Sequence, residues 1–154
     1  MIQWLKSLFR VPRPSGPTEL IKSFSCDDPI ISNDVVVDKG ALRIDSSSTQ
    51  SVRLYEIPDL GIEMCMITYR AELKSEGIKG KAYLEMWCRL PGRGEFFSKG
   101  FHNSLSGTND WASYEIPFYL KRGQRPDLIK LNVAVPGTGV LWIRDIKLLR
   151  TPLE

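Results

Sequence analysis

Lys81–Arg89 alternates without a break. Ala82, Leu84, Met86 and Cys88 fall on one side, and Tyr83, Glu85, Trp87 and Arg89 on the other. An extended strand sorts side chains with a period of two, whereas a helix does not. One face of this strand is suited to a core and the other mixes aromatic rings with charges. The same period recurs in Leu128–Val135, where Ile129, Leu131, Val133 and Val135 oppose Lys130, Asn132 and Ala134. It recurs again where Cys65, Ile67, Tyr69, Ala71 and Leu73 oppose Thr68, Arg70 and Glu72. Further strand segments are expected at Val35–Val37, Ala41–Asp45, Val52–Ile57, Phe96–Phe101, Trp111–Leu120 and Val140–Leu148. Turn signals separate them at Asp38–Gly40, Lys74–Gly80, Pro91–Gly94, Lys121–Pro126 and Pro136–Gly139. No helical period appears after residue 20. The pattern predicts an all-β fold, a two-sheet antiparallel β-sandwich over residues 18–154.

A chain of 154 residues that is 42 % hydrophobic can bury a core without disulfides or a structural metal. The net charge of +3 is too small to point to nucleic acid, and no nucleic-acid partner is expected. Cys26, Cys65 and Cys88 are scattered, with no CxxC spacing. They read as small buried thiols, with a lean toward a reducing compartment. No apolar run reaches transmembrane length, and Gln3, Lys6 and Ser7 break the one at the start. The expected location is the cytoplasm.

Residues 1–17 read differently. Ile2, Leu5 and Phe9 share a helical stripe with Trp4 and Leu8 beside it, while Lys6 and Arg10 lie away from it. That is a short amphipathic helix, which needs a surface to fold on. A Pro-rich linker, Val11–Pro17, follows. Two readings stay open. The helix caps the domain's own core, or it docks through Trp4, Leu5, Leu8 and Phe9 on a membrane surface or a partner protein.

The polar face of Lys81–Arg89 suits a sugar. Aromatic planes pack on the C–H faces of a pyranose, and Glu, Arg, Asn and Lys satisfy its hydroxyls. Tyr83 and Trp87 are the candidate stacking platforms, with Glu85, Arg89 and Asn132 as hydrogen-bonding groups. The competing reading is that both aromatics only cover the sheet beneath a loop.

The second half of the chain carries a resemblance. Its residues are Trp111, Glu115-Ile116-Pro117-Phe118, Asp127–Val133, Pro136–Gly139 and the closing Val140-Leu141-Trp142-Ile143-Arg144-Asp145-Ile146-Lys147-Leu148. With Lys81–Cys88, they resemble the galactose-binding-like jelly rolls that include many carbohydrate-binding modules of bacteria. The resemblance spans about residues 20–150 and implies a jelly-roll sandwich that binds a glycan. It also implies a structural calcium at an acidic pair near the last strand. Arg144 stands where one of those acids is expected, so no metal is assigned, and no other cofactor is implied.

Enzymatic chemistry finds little support in these residues. A glycosidase, the least remote activity, needs two carboxylates roughly 5–10 Å apart, and nothing in the sequence pairs Glu72, Glu85 or Glu115. His102 is the only histidine and lies in a polar loop, which leaves no triad or His-rich metal site. Arg89, Arg93 and Lys99 read as charges that keep a hairpin soluble. The expected function is a non-catalytic binding module for a carbohydrate or small polar ligand. The alternative is a scaffolding protein tethered by its N-terminal helix.

Overall fold

One strand organises the molecule. In a computed structural model that describes residues 12–154, Cys65–Leu90 (β5) runs as a single 26-residue strand. The other strands are β1 (Glu19–Phe24), β2 (Val35–Asp38), β3 (Ala41–Ser47), β4 (Gln50–Pro58), β6 (Gly94–Lys99), β7 (Leu105–Leu120), β8 (Leu128–Val135) and β9 (Thr138–Pro152). There is no helix among the described residues. The helix expected over Met1–Arg10, with Trp4, Leu5, Leu8 and Phe9, lies outside them.

The first part of β5 belongs to one sheet and the last part to another. Cys65–Glu76 pairs with β9, and Cys65–Ala82 pairs with β7. Tyr83–Arg89 pairs with β8, and Glu85–Leu90 with β6. The first sheet therefore runs β2-β3-β9-β5-β7, with β1 beside the far end of β9, and the second runs β4-β8-β5-β6. All pairings are antiparallel. The two sheets of the expected sandwich are thus one sheet curled over on itself.

This overturns the turn expected at Lys74–Gly80. Gly77 and Gly80 do adopt positive φ, of 60° and 85°, as their residue type suggested. They serve a bend that carries β5 from one sheet to the other, with no reversal of the chain. β7 explains why. It stays paired across the bend, and its register slips between Leu73 and Ser75, Ser75 and Ile78, and Ile78 and Ala82. Extra residues of this kind sharpen local twist and let one strand turn a corner. Part of the expected polar loop Phe101–Asp110 is accordingly strand, because Leu105–Asp110 forms the start of β7.

The alternation read from the sequence sorts the core. Ile67, Tyr69, Leu73, Leu141 and Ile143 point in from the first sheet, and Leu84, Met86, Ile129, Leu131 and Val133 from the second, all essentially inaccessible to water. Cys65 and Cys88 join them as buried thiols. Backbone bonds from Ser15 to the Pro152 carbonyl and from Glu154 to the Arg13 carbonyl tie the Pro-rich segment to the end of β9.

The bend is also where the backbone is most crowded. Gly139 sits at φ 138°, and a Cβ there would lie 2.7 Å from Ile78 Cα and 2.8 Å from the Gly77 carbonyl oxygen. Both atoms belong to the corner of β5 and have no side-chain freedom. Gly139→Ala is expected to destabilise the domain by about 2–4 kcal/mol, from backbone strain and a clash that cannot relax. Urea unfolding followed by tryptophan fluorescence measures it, and a midpoint equal to that of the parent chain would contradict this account.

Candidate functional site

The second sheet presents its outer face as rows of side chains that cross four strands. One row is Arg53, Asn132, Glu85 and Lys99, on β4, β8, β5 and β6. The next is Glu56, Lys130, Trp87 and Phe97. The residues of β5, β6 and β8 stand there because alternate positions of a strand point outward; on β4 a bulge between Arg53 and Tyr55 brings Glu56 to the same face, and the register sets the neighbours.

Glu85 is the hub. Its residue type and its place on the outer face predict exposure, yet only 5 % of it is accessible. Glu85 Oε1 accepts from Trp87 Nε1 at 2.9 Å, from Ser51 Oγ at 2.8 Å and from Asn132 Nδ2 at 3.2 Å. The second oxygen, Oε2, lies 3.8 Å from Lys99 Nζ. Burial by itself would push this carboxyl up, but the bonds from Trp87, Ser51 and Asn132 and the Lys99 charge win. They hold it below the usual glutamate range. The carboxylate stays ionised and locks the Trp87 indole in one orientation.

Around this hub lies an open hollow of about 290 Å³, lined by Ser51, Arg53, Glu85, Trp87, Glu95, Lys130 and Asn132. Lys130 Nζ is 2.8 Å from Glu95 Oε1. Aromatic rings continue along one side. Phe97, 55 % exposed, tilts against Trp87 at 5.2 Å between centroids, and Lys99 Nζ sits 4.7 Å from the Phe97 ring. Tyr83 packs on Phe101 at 4.6 Å.

Of the five ligand residues expected from the sequence, Glu85, Trp87 and Asn132 meet in this hollow. Tyr83 and Arg89 stand outside it, to either side along β5. Arg89 is held at the end of the strand, with Nε 2.8 Å from Asp127 Oδ1. Ser51, Arg53, Glu95, Lys130 and the adjacent Phe97 were missed as ligand residues. The alternation of Gln50–Pro58 marks Ser51 and Arg53 as outward-facing, but no spacing in the sequence says that β4 lies two strands away from β5. The face containing Thr68, Arg70 and Glu72 proves to be the outer side of the first sheet, because β5 changes sheets between these residues and Tyr83.

Asp145, the remaining acid at the implied calcium position, has a largely exposed side chain with Oδ2 4.0 Å from Arg144 Nε. Among the described residues no three His, Cys, Asp or Glu side chains gather. Calcium takes six to eight oxygen ligands, and here the Arg144 guanidinium, held by Glu72 and beside Asp145, puts a fixed cation where such an ion would sit. His102 is exposed, as expected.

Glu85→Ala leaves three donors without their acceptor, and a loss of about 2–4 kcal/mol of stability is expected. The sign of the pH effect follows from the lowered value. Stability from Glu85 is fully present above the ordinary glutamate value of 4.5 and is lost as the pH falls through its lower folded value. Unfolding midpoints measured between neutral and acid pH should show this loss in the parent chain. Glu85→Gln should lack that component, and an identical pH profile in the two proteins would contradict the account.

No family model matches the sequence, and no curated protein matches it. Solved structures do share its fold. A CBM22-1 and GH10 portion of an endo-1,4-β-D-xylanase from Clostridium thermocellum, complexed with xylohexaose, superposes with a TM-score of 0.54 at 10 % identity, covering 84 % of this chain and 28 % of that one. A CBM4 superposes with a TM-score of 0.55 at 10 % identity, covering 84 % of this chain and 78 % of that one. The chain thus has the β-sandwich fold found in carbohydrate-binding modules, and it spans under a third of the length of the xylanase chain.

Proposed function

We propose that this domain is a non-catalytic carbohydrate-binding module whose ligand lies on the outer face of the β4-β8-β5-β6 sheet. The observation that carries the reading is the locked Trp87 indole over the buried Glu85, beside an open hollow. A pyranose ring stacks its C–H face on Trp87 or Phe97. Its hydroxyls meet Arg53, Lys130, Asn132 and Glu95, which supply donors and acceptors without a large net charge. The groups are fixed before the ligand arrives, so little ordering entropy opposes binding. The fold shared with the CBM22-1 and CBM4 structures supports the same reading.

Glycoside hydrolysis is disfavoured by the electrostatics of the hollow. A general acid needs a carboxyl whose value is raised. Glu85 is held low, and Glu95 is engaged in an ion pair with Lys130. Both carboxylates are suited to accepting hydrogen bonds.

A glycan array screened with the full chain tests the reading, with Trp87→Ala alongside. Specific binding that weakens at least about tenfold in the variant is expected from the loss of one stacking platform, with cooperative unfolding retained. Binding untouched by the substitution would place the ligand elsewhere. Loss of the unfolding transition would make Trp87 a structural residue.

A further inference from the structure

The outer face of the first sheet carries a second aromatic platform that this reading does not use. Trp142 on β9 and Trp111 on β7 both point outward and both keep part of their surface in contact with water. Lys74 lies between them, directly opposite Trp142 on the neighbouring strand, while Leu73 is opposite Ala112, the residue after Trp111. The two indoles are therefore two strands apart, about 10 Å by the spacing of strands in a sheet.

Both rings are fixed in place. Trp142 Nε1 donates to Asp38 Oδ2 at 3.0 Å, and Lys74 Nζ lies 5.3 Å from its ring. The Arg144 guanidinium stacks 3.9 Å from the Trp111 ring and is itself anchored, with Nε 2.8 Å from Glu72 Oε2. Two hollows open here, of about 340 Å³ and 600 Å³, and Lys74 and Trp142 line both. Their rims hold three carboxylates, Asp38, Glu76 and Asp110, and three cations, Lys39, Lys74 and Arg144. Asn109 and Thr108 add uncharged groups.

We infer that this face is a second binding site, for a neutral, hydroxyl-rich chain such as an oligosaccharide, independent of the hollow beside Trp87. The balance of rim charges gives no net attraction for an anion or a cation. It offers many donors and acceptors, which is what a neutral polyhydroxylated ligand recruits. Trp142, whose flanking cations Lys74 and Arg43 stand off at 5.3 and 5.5 Å, suits a sugar ring, and Trp111 beneath Arg144 forms the apolar wall about two strands away. The sites lie on opposite faces of the sandwich, so one domain can hold two glycan chains or engage a polymer network twice, with a gain in avidity.

The test uses the full chain and four variants, Trp142→Ala, Trp87→Ala, the double variant, and Lys74→Ala with Glu76→Ala. The last leaves both indoles in place and guards against a folding defect. Xylohexaose and cellohexaose are titrated by calorimetry, and soluble xylan and mixed-linkage β-glucan are run in affinity gels. The expected result is two binding events in the parent chain, one lost in Trp87→Ala and the other weakened at least tenfold both in Trp142→Ala and in the Lys74/Glu76 variant, with no binding left in the double variant. Binding abolished by Trp87→Ala alone overturns the second site and leaves the first standing. Binding abolished by Trp142→Ala and untouched by Trp87→Ala upholds this site and overturns the first. No binding of any probe by the parent chain overturns both.

Discussion

The antiparallel pairing of β5 with β7 across the corner is the contact on which the rest of the domain depends. A strand of 26 residues that served one flat sheet would leave half its inward side chains without a partner layer. Held by β7 through three register slips, it bends and contributes to both layers of the core. Tyr69 and Met86, both fully buried, belong to the same strand and line opposite layers. β9 and β8 then assemble on either half, and the outer strands add to them. The crowding of Gly139 against Gly77 and Ile78 shows how tightly the β8–β9 turn is seated in that corner.

The alternation in Lys81–Arg89, Leu128–Val135 and Cys65–Leu73 identified the inward residues correctly, because a period of two is a local property of the backbone. The corner escaped the same reasoning. Gly77 and Gly80 call for positive φ, and a hairpin and a bulged bend both use it. Only the partner strand distinguishes them, and β7 lies more than twenty residues downstream. Glu85 shows a related limit. Its outward position was legible, but its burial depends on Ser51, Asn132 and Lys99 from three other strands. A lone sequence does not disclose that register.

The two outer faces follow one scheme with different chemistry. On the second sheet a buried carboxylate fixes an indole from beneath. On the first, a hydrogen bond to Asp38 fixes one indole and the Glu72–Arg144 ion pair flanks the other. In each case charged residues set the orientation of an aromatic ring. That role explains why groups favoured at solvent-exposed positions sit against tryptophan in place of bulk water.

The position of β9 has a consequence for how the chain acquires its structure. β9 follows every other strand of this sandwich in the chain, yet it is the shared neighbour of β1, β3 and β5. During synthesis those three strands emerge with open edges and wait for residues near 140–152. The first sheet has no centre until then. Assembly therefore depends on closing very long loops, which slows folding, and the waiting edges are templates for mispairing. A nascent domain of this topology gains from any factor that shields its early strands until β9 leaves the ribosome.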